Sequence, residues 1–289
     1  VKNDLDKVNY ANISVNIDDK FMEAVKNDQD YELYFYVDAT GEEIKRKINA
    51  RDLFRKIAKN NWNMAEPGML YTNRINSWHL MSEDEDFEFA GVNPCAEETL
   101  PAFGSCNLSS INLSMFVKDP FTDQAEFDFK EFGKMVREGV IYLNQVLDEN
   151  IPLHPLEQQK KVSRDYRQIG LGVMGLADMF IKLKVRYGSK ESIELIHKVG
   201  KLMINEALKQ SALLAKENGA FPKYKEEAIL KSPFLLANAT DETIELIKRA
   251  QKGDMEAKNK LVMSNVGLVK SVLKGFANRG YEVDDLFQI

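Results

Sequence analysis

The residue types best suited to chemistry lie in one short segment, Gly91–Leu113, which holds both cysteines of the chain, Cys95 and Cys106. Asn93, Cys95 and Glu97 occupy every second position within it. Residues with this spacing project to one face of an extended backbone, so an amide, a thiol and a carboxylate would point the same way. Such a set can hold hydroxyl groups, exchange a hydrogen and accept a proton.

A straight strand would hold these three groups too far apart to contact one small ring. At about 3.3 Å per residue, Asn93 and Glu97 would lie roughly 13 Å from each other. We therefore expect the segment to curve. Pro94 and Pro101 agree with a shaped loop, because proline cannot donate a hydrogen bond to a strand ladder.

The alternative is that both cysteines are structural. Cysteines of a reducing cytosol are often small buried hydrophobic residues, and two of them do not make a disulfide framework. This cysteine usage favours a cytoplasmic protein. We also expect no membrane-spanning helix, because no apolar run reaches 18 residues.

Composition limits the class of protein. The chain has 289 residues, 44% of them apolar and 10% aromatic, which excludes a mostly disordered chain and suits one large or two ordinary domains. The net charge of −6 argues against a general nucleic-acid binder.

Periodicity and capping residues predict the elements that surround the cysteine segment. Asn49 is predicted to cap one helix, Asn218 and Gly219 to end another, and residues 66–68 to break the chain. The predicted elements are a hairpin of strands 31–37 and 44–48, and helices over 50–60, 127–150, 189–217 and 225–230. The apolar face of the 127–150 helix consists of Phe132, Val136, Val140, Leu143 and Leu147.

Other polar motifs are interpreted as structural. His79 and His154 have no second ligand at metal spacing, so we predict no metal site. Residues 82–88 are acidic and predict a solvated loop. Gly170, Gly172 and Gly175 match a dinucleotide fingerprint, but no apolar strand precedes them, and close packing of a helix is the interpretation we favour.

The Gly91–Leu113 segment resembles the active-site loop of ribonucleotide reductase large subunits. That loop carries Asn-x-Cys-x-Glu, followed about eleven residues later by another cysteine, which matches the segment here. Further stretches similar to the family are Ser110–Leu113, Ile169–Asp178, Phe221–Tyr224 and Ser232–Phe234. The string Asn-Pro-Cys-Ala-Glu-Glu is most similar to the class II, adenosylcobalamin-dependent branch. Class I shares the triad, so the class stays open.

The resemblance implies an α/β fold in which residues 1–245 form part of a ten-stranded α/β barrel, with the cysteine loop at its centre. In this chain, open sheet edges and exposed apolar surface should follow. The implied cofactor is adenosylcobalamin, or alternatively a radical supplied by a separate small subunit. The implied partners are a ribonucleotide substrate, a thioredoxin-like reductant and a second copy in a homodimer.

Ribonucleotide reduction removes the ribose 2′-hydroxyl group, and the resemblance implies a role for each residue. A thiyl radical on Cys95 takes the 3′-hydrogen of the nucleotide. Glu97 takes the 3′-hydroxyl proton as general base, and Asn93 holds the sugar hydroxyl groups through its amide. Cys106 is one half of the dithiol that supplies two electrons and closes to a disulfide.

The chain departs from the family pattern in its cysteines. In the family the partner of Cys106 lies upstream, and this chain has no third cysteine. The effector loops also lie upstream in the family, and its downstream Pro-Thr-Gly phosphate motif is absent. We therefore expect no turnover from this polypeptide alone. A start at Val1 instead of Met suggests a fragment, although an alternative start codon or trimming would look the same.

From about Glu242 the sequence changes character. Residues 246–289 resemble the start of region 2 of a bacterial sigma factor, most like the sporulation type. The resemblance implies an all-α tail that contacts RNA polymerase, and hence an alternative function in transcription with the reductase part as passenger. A generic helical hairpin is the other interpretation. The stretches that carry the resemblance are Lys248–Asp254, Asn265–Val269, Asn278–Gly280 and Asp284–Gln288.

Overall fold

The structure is a computed structural model that describes residues 11–250. Its strands are β1 (Ser14–Ile17), β2 (Asp30–Val37), β3 (Glu42–Asn49), β4 (Gly68–Tyr71), β5 (Gly91–Val92), β6 (Thr99–Leu100), β7 (Asn107–Asn112), β8 (Val117–Lys118), β9 (Glu126–Phe127) and β10 (Ile169–Met174). Its helices are α1 (Asp19–Asn27), α2 (Ala50–Met64), α3 (Thr72–Ser77), α4 (Phe129–Asn150), α5 (Glu157–Tyr166), α6 (Leu176–Lys182), α7 (Lys190–Asn218), α8 (Glu226–Lys231), α9 (Pro233–Asn238) and α10 (Asp241–Ala250).

The described chain divides into two compact units. The first unit comprises residues 11–112, 142–176 and 222–239, and the second comprises residues 113–141, 177–221 and 240–250. The cysteine segment up to Asn112 belongs to the first unit.

In the first unit, β1 and β4 form a parallel pair beside the α1–α2 helices. Ile17, Phe21, Ala24 and Ala50 make the buried core here, and Phe54 packs against it. Aromatic and aliphatic residues recur on one face of each helix, which is why both helices bury that face.

The predicted hairpin is confirmed. β2 pairs antiparallel with β3 across a turn that includes Gly41 at φ +70°, a conformation that costs glycine little. Asn49 caps α2 as predicted, because its side chain accepts a hydrogen bond from the Asp52 N–H. The helix continues to Met64, past the predicted end at Asn60.

β7 and β10 form a parallel pair along their whole length. Gly170 and Gly172 therefore lie within a strand, and the prediction that they allow a helix to pack closely is wrong. Gly175 lies in the turn from β10 to α6, at φ +68°. In a dinucleotide site the first two glycines would lie in such a turn as well, and here they do not. At Gly170 the missing side chain makes room for a neighbouring carboxylate, as described below.

The acidic segment 82–88 is only partly the solvated loop that was predicted. The Asp84 side chain is buried and forms an ion pair with the Lys225 ammonium group, which also pairs with Asp86 at 2.6 Å. A buried carboxylate needs such a partner, because desolvation without one is costly. The segment is thereby attached to the chain just before α8.

The second unit is built on the first part of α4 together with α6, α7 and α10. Phe132 packs edge to face against Phe116 and Phe127 and is fully buried. Between α7 and α10, the Asn205 Oδ1 atom accepts hydrogen bonds from the Thr240 N–H and the Thr243 hydroxyl, both at 2.8 Å. This buried amide links the two helices.

The sequence prediction for α4 is confirmed at each core position. All the predicted apolar residues are at most 4% exposed, as the 3.6-residue period requires of a helix with one buried face. The predicted helices 189–217 and 225–230 correspond to α7 and α8. Ser189 caps α7 through its side chain, and Gly219 follows its last residue.

The strands of the described residues form two-stranded sheets, so residues 11–250 contain no closed barrel. The ten-stranded barrel of the sequence prediction is therefore not seen, although strands and helices are mixed as expected. Among the helices of this part of the chain, none combines the length and apolar character that crossing a membrane requires.

The junction predicted at residue 245 falls within α10, which runs without interruption from Asp241 to Ala250. The stretches that carry the resemblance to a sigma factor lie almost entirely beyond Ala250, outside the described residues. The domain division at residue 245 therefore stays a prediction.

Candidate active site

The predicted catalytic residues Asn93, Cys95 and Glu97 lie on a tight loop that joins β5 to β6. The Asn93 N–H donates to the Glu98 carbonyl at 3.1 Å, and the Ala96 N–H donates to the Asn93 carbonyl at 3.0 Å. Ala96 adopts a left-handed conformation at φ +64°. The segment therefore curves, as expected, and the three side chains do not follow the alternation of a straight strand.

The Asn93 side chain helps to form this loop. Its Oδ1 atom accepts a hydrogen bond from the Glu98 N–H at 3.0 Å, which is the usual way that asparagine stabilises a turn. The Nδ2 group is the part of this amide that can donate to an external hydroxyl group.

Cys95 and Glu97 are exposed on the same loop. The alternative that both cysteines are buried structural residues is therefore wrong for Cys95, whose thiol is open to an approaching reactant. Cys106, just before β7, is half-buried. The Cys95 thiol and the Glu97 carboxylate flank Ala96, where the loop reverses.

Glu98, which the sequence did not single out, directly follows Glu97 on the loop and is half-buried. Burial raises the pKa of Glu98, while hydrogen bonds with Cys106 and Gln168 oppose this effect. Burial, together with the charge and hydrogen bond of Glu98, raises the pKa of the Cys106 thiol to about 12. The signal available in the sequence was the adjacent pair Glu97–Glu98, of which Glu97 is exposed and Glu98 is half-buried.

The Glu98 carboxylate lies against strand β10 at Gly170. A Cβ atom at Gly170 would lie less than 3.0 Å from both the Glu98 carboxylate and the Leu108 side chain. The Gln168 Nε2 atom donates to the Thr99 carbonyl at 2.6 Å, which attaches the β5–β6 hairpin to the start of β10. The parallel strand pair and the hairpin thus place the Glu98 carboxylate beside Gly170. The Cys106 thiol donates to the Asn107 carbonyl at 3.6 Å.

A cavity of about 250 Å³ lies beside Cys106. His154 borders it, and its Nε2 atom lies 3.2 Å from the Ser105 hydroxyl and 3.4 Å from the Ser163 hydroxyl. These contacts agree with the structural interpretation of His154. The residues that line the cavity are Ser105, Cys106, Asn107, Leu147, Asn150, Leu153 and His154.

The structural interpretation of His79 is confirmed. Its Nδ1 atom accepts a hydrogen bond from the Met81 N–H at 3.2 Å, and its Nε2 atom lies 3.1 Å from the Asn76 carbonyl. Burial lowers its pKa. Within residues 11–250, no group of three or more His, Cys, Asp and Glu side chains could hold a metal ion.

The family model "Ribonucleotide reductase, barrel domain" matches residues 2–273. The chain belongs to this family. The match includes the cysteine loop, both strands of the β7–β10 pair and all the described residues of both units.

Several reductases are similar to the chain. A vitamin B12-dependent ribonucleoside-diphosphate reductase of Thermoplasma acidophilum is 37% identical over 233 residues, which are 81% of this chain and 29% of that protein. A vitamin B12-dependent ribonucleotide reductase of Streptomyces avermitilis is 34% identical over 229 residues, which are 78% of this chain and 23% of that protein. A ribonucleoside-diphosphate reductase large chain of Encephalitozoon cuniculi is 31% identical, and the match covers 75% of this chain and 30% of that protein.

The chain spans less than a third of the length of these curated relatives. The match to the reductase barrel family also continues to residue 273, into the tail that was predicted to resemble a sigma factor. These comparisons give no support to that second resemblance.

Proposed function

We propose that this chain contributes the cysteine-loop part of a class II ribonucleotide reductase, which converts ribonucleoside diphosphates to deoxyribonucleotides. The observation that carries the proposal is the exposed Cys95 thiol, held on a tight loop between Asn93 and Glu97, in a chain of the reductase barrel family. The names of the B12-dependent relatives support the class.

In this proposal Cys95 is the residue that exchanges a hydrogen atom with the nucleotide at its 3′ carbon. Glu97, exposed beside it, accepts the proton of the 3′-hydroxyl group, and the Nδ2 group of Asn93 donates to the sugar hydroxyl groups. The loop places these groups within a few residues of one another, and the hydrogen bonds between Asn93 and Glu98 keep it curved. A fixed loop reduces the entropy lost when the reacting groups are aligned.

Cys106 is proposed as one half of the reducing dithiol. Two thiols lose two electrons and two protons when they close to a disulfide, and the nucleotide receives the electrons as its 2′-hydroxyl group leaves as water. The sequence contains two cysteines, and Cys95 is assigned to the radical, so the partner thiol lies outside residues 1–289. A thioredoxin-like dithiol is the proposed reductant that restores the pair.

The Cys95 thiol fits a radical source that approaches from outside, because it is exposed. The cavity beside Cys106, at about 250 Å³, lies below the 300–1,000 Å³ of ordinary small-molecule sites, and a corrin ring is larger still. We therefore propose that the cofactor meets the exposed side of the loop at Cys95, and not the cavity beside Cys106. Adenosylcobalamin, when bound, supplies the radical chemistry. A separate radical-generating subunit is the alternative.

The test combines this chain with a polypeptide that carries the remaining part of the Thermoplasma acidophilum relative. With adenosylcobalamin and dithiothreitol, we expect deoxynucleoside diphosphate from the mixture and none from this chain alone. Cys95→Ser should reduce the rate by at least about 10³-fold, as removal of a reacting group does. The control is Glu88→Gln, an exposed carboxylate ahead of the loop. Turnover by this chain alone, or turnover that survives Cys95→Ser, would contradict the proposal.

The transcription alternative for residues 246–289 stays a prediction. A pull-down with the full chain tests it, since retention of RNA polymerase would be expected only if the tail acts as a sigma-like module.

A further inference from the structure

The segment that leads into the cysteine loop consists of turns. Residues 78–90 follow α3 and end directly at β5, the strand from which the loop with Cys95 continues. Without the backbone ladder of a helix or strand, such a segment depends on its side-chain contacts to stay in place. We call residues 78–90 the entry segment, and its path sets where the loop begins.

Lys225 binds the entry segment at two carboxylates. Its ammonium group donates to Asp84 and, at 2.6 Å, to Asp86. The Asp84 side chain is only 3% exposed, and its Oδ1 atom also accepts a hydrogen bond from the Asp86 N–H at 3.0 Å. Without this lysine, a buried carboxylate would remain beside a second negative charge, which is a costly arrangement.

The part of the chain that carries Lys225 is itself attached to the first unit. Before it, the Lys223 N–H donates to the Asp165 carbonyl of α5 at 3.0 Å. After it, the fully buried Ser232 donates from its hydroxyl group to the His79 carbonyl at 2.8 Å. Because this part of the chain is fixed on both sides of Lys225, the two ion pairs can restrain the entry segment.

An aromatic cluster is the competing explanation for how the entry segment is held. The Phe87 ring centroid lies 4.9 Å from that of Phe89 and 5.2 Å from that of Tyr166. The His79 ring lies 4.6 Å from Phe89. Three of these four rings belong to the entry segment, so much of this packing is internal and would move with it. The ion pairs of Lys225 join the segment to a different part of the chain.

We propose that Lys225 is a positioning residue for the reaction at Cys95. It acts through the two carboxylates of the entry segment, whose last residue, Ala90, donates to the Leu100 carbonyl at 2.9 Å beside the β5–β6 hairpin. Release of the segment would let the hairpin and its loop move, and a small displacement of a reacting group greatly slows the chemical step. The effect on catalysis rests on the proposed function, but the restraint of the loop does not.

The first experiment measures amide hydrogen exchange in the full chain by mass spectrometry. In Lys225→Met the peptides that cover residues 86–100 should exchange at least about tenfold faster, because the loss of a partner from a buried carboxylate favours local opening. Peptides from α2, in the same unit, should change less than about twofold. Lys225→Arg should restore most of the protection, since a guanidinium group can donate to both carboxylates.

Lys160→Met is the matched control. Lys160 also forms an ion pair in the first unit, with Glu157 at 2.7 Å, but the Glu157 side chain is 83% exposed. Loss of such a pair should leave exchange in residues 86–100 within about twofold of the wild type. Unchanged exchange there in folded Lys225→Met would overturn the proposal, because the aromatic cluster would then be sufficient. Equally faster exchange in α2 would also overturn it, because Lys225 would then stabilise the unit as a whole.

A double variant covers the case in which Lys225→Met does not fold. Lys225→Met combined with Asp84→Asn leaves no charged carboxylate at the buried position, which removes the main cost of the single substitution. The attachment is still lost, so exchange in residues 86–100 should stay at least about fivefold above the wild type. Wild-type exchange in the double variant would overturn the proposal, because Lys225 would then only compensate a buried charge.

Turnover is measured in the mixture with the remaining reductase polypeptide. Lys225→Met should lower kcat at least about tenfold and change KM less than about threefold, as a loss of alignment does, and Lys225→Arg should recover kcat. A raised KM with unchanged kcat would contradict the positioning role. If the wild-type mixture produced no deoxynucleotide, the proposed function would fail, and the exchange measurements would still decide whether Lys225 holds the loop.

Discussion

At the scale of single residues, the site depends on a close approach that only glycine permits. Gly170 lies in β10 opposite Leu108 of β7, and the Glu98 carboxylate occupies the space above it. An alanine methyl group there would meet both Glu98 and Leu108. Neither contact requires a left-handed backbone, so the constraint comes from packing and not from φ.

Gly170→Ala is predicted to destabilise the chain by about 1–3 kcal/mol, the usual cost of overpacking. Gly172→Ala is the control, because a Cβ atom at Gly172 meets the Ser110 hydroxyl at an ordinary 3.6 Å. Urea unfolding of both variants measures the difference. Equal stability of the two variants would show that Glu98 and Leu108 do not occupy this space.

At the scale of elements, α10 is attached to α7 by the side chain of Asn205. Its Oδ1 atom accepts from two donors of the α10 N-terminal region, Thr240 and Thr243, and both Asn205 and Thr243 are buried. The same pair of helices also carries an ion pair between Lys209 and Glu242 at 2.7 Å. The two interactions differ in burial, and their contributions to stability should differ accordingly.

Asn205→Ala is predicted to cost about 1–3 kcal/mol for each donor left without an acceptor. Glu242→Gln, in which a carboxylate that is 78% exposed loses its charge, should change stability by less than about 1 kcal/mol. Chemical denaturation of the two variants tests this order. A larger loss in Glu242→Gln would show that the ion pair, and not the buried amide, holds α10.

At the scale of the whole chain, the described residues expose a large apolar surface on the β2–β3 hairpin. Leu33, Phe35 and Ile44 share one face of the hairpin, because Leu33 and Phe35 are two residues apart in β2 and Phe35 lies directly opposite Ile44. Their exposed fractions are 41%, 64% and 48%. Within residues 11–250 these strands pair only with each other. Unpaired edges beside exposed apolar residues favour association between chains.

The chain is therefore predicted to self-associate at micromolar concentration. The double variant Phe35→Thr with Ile44→Thr should shift its sedimentation profile toward the monomer, because threonine keeps the strand propensity and removes the apolar surface. Tyr34→Thr is the control on the opposite face, where Lys45 contacts the tyrosine ring. A wild-type chain that sediments as a monomer at all concentrations would contradict the prediction.

The sequence by itself determined the local elements and the reductase family. Local interactions decide features such as the helical period of Phe132 to Leu147 and the Asn49 cap, because each depends on residues a few positions apart. The Asn-x-Cys-x-Glu motif is likewise read from neighbouring residues. The prediction that the cysteine loop curves also followed from local reasoning. A straight strand would hold Asn93 and Glu97 roughly 13 Å apart, and Pro94 and Pro101 disfavour a strand.

Only the tertiary structure decided which groups meet across long separations in the chain. The approach of the Glu98 carboxylate to Gly170 and the burial of Asp84 against Lys225 each join residues that lie on different elements. The period of a sequence shows which face of an element is buried, but not which neighbour covers it. For this reason Glu98 was missed and the glycines of β10 were assigned to a helix, while the adjacent Cys95 loop was found.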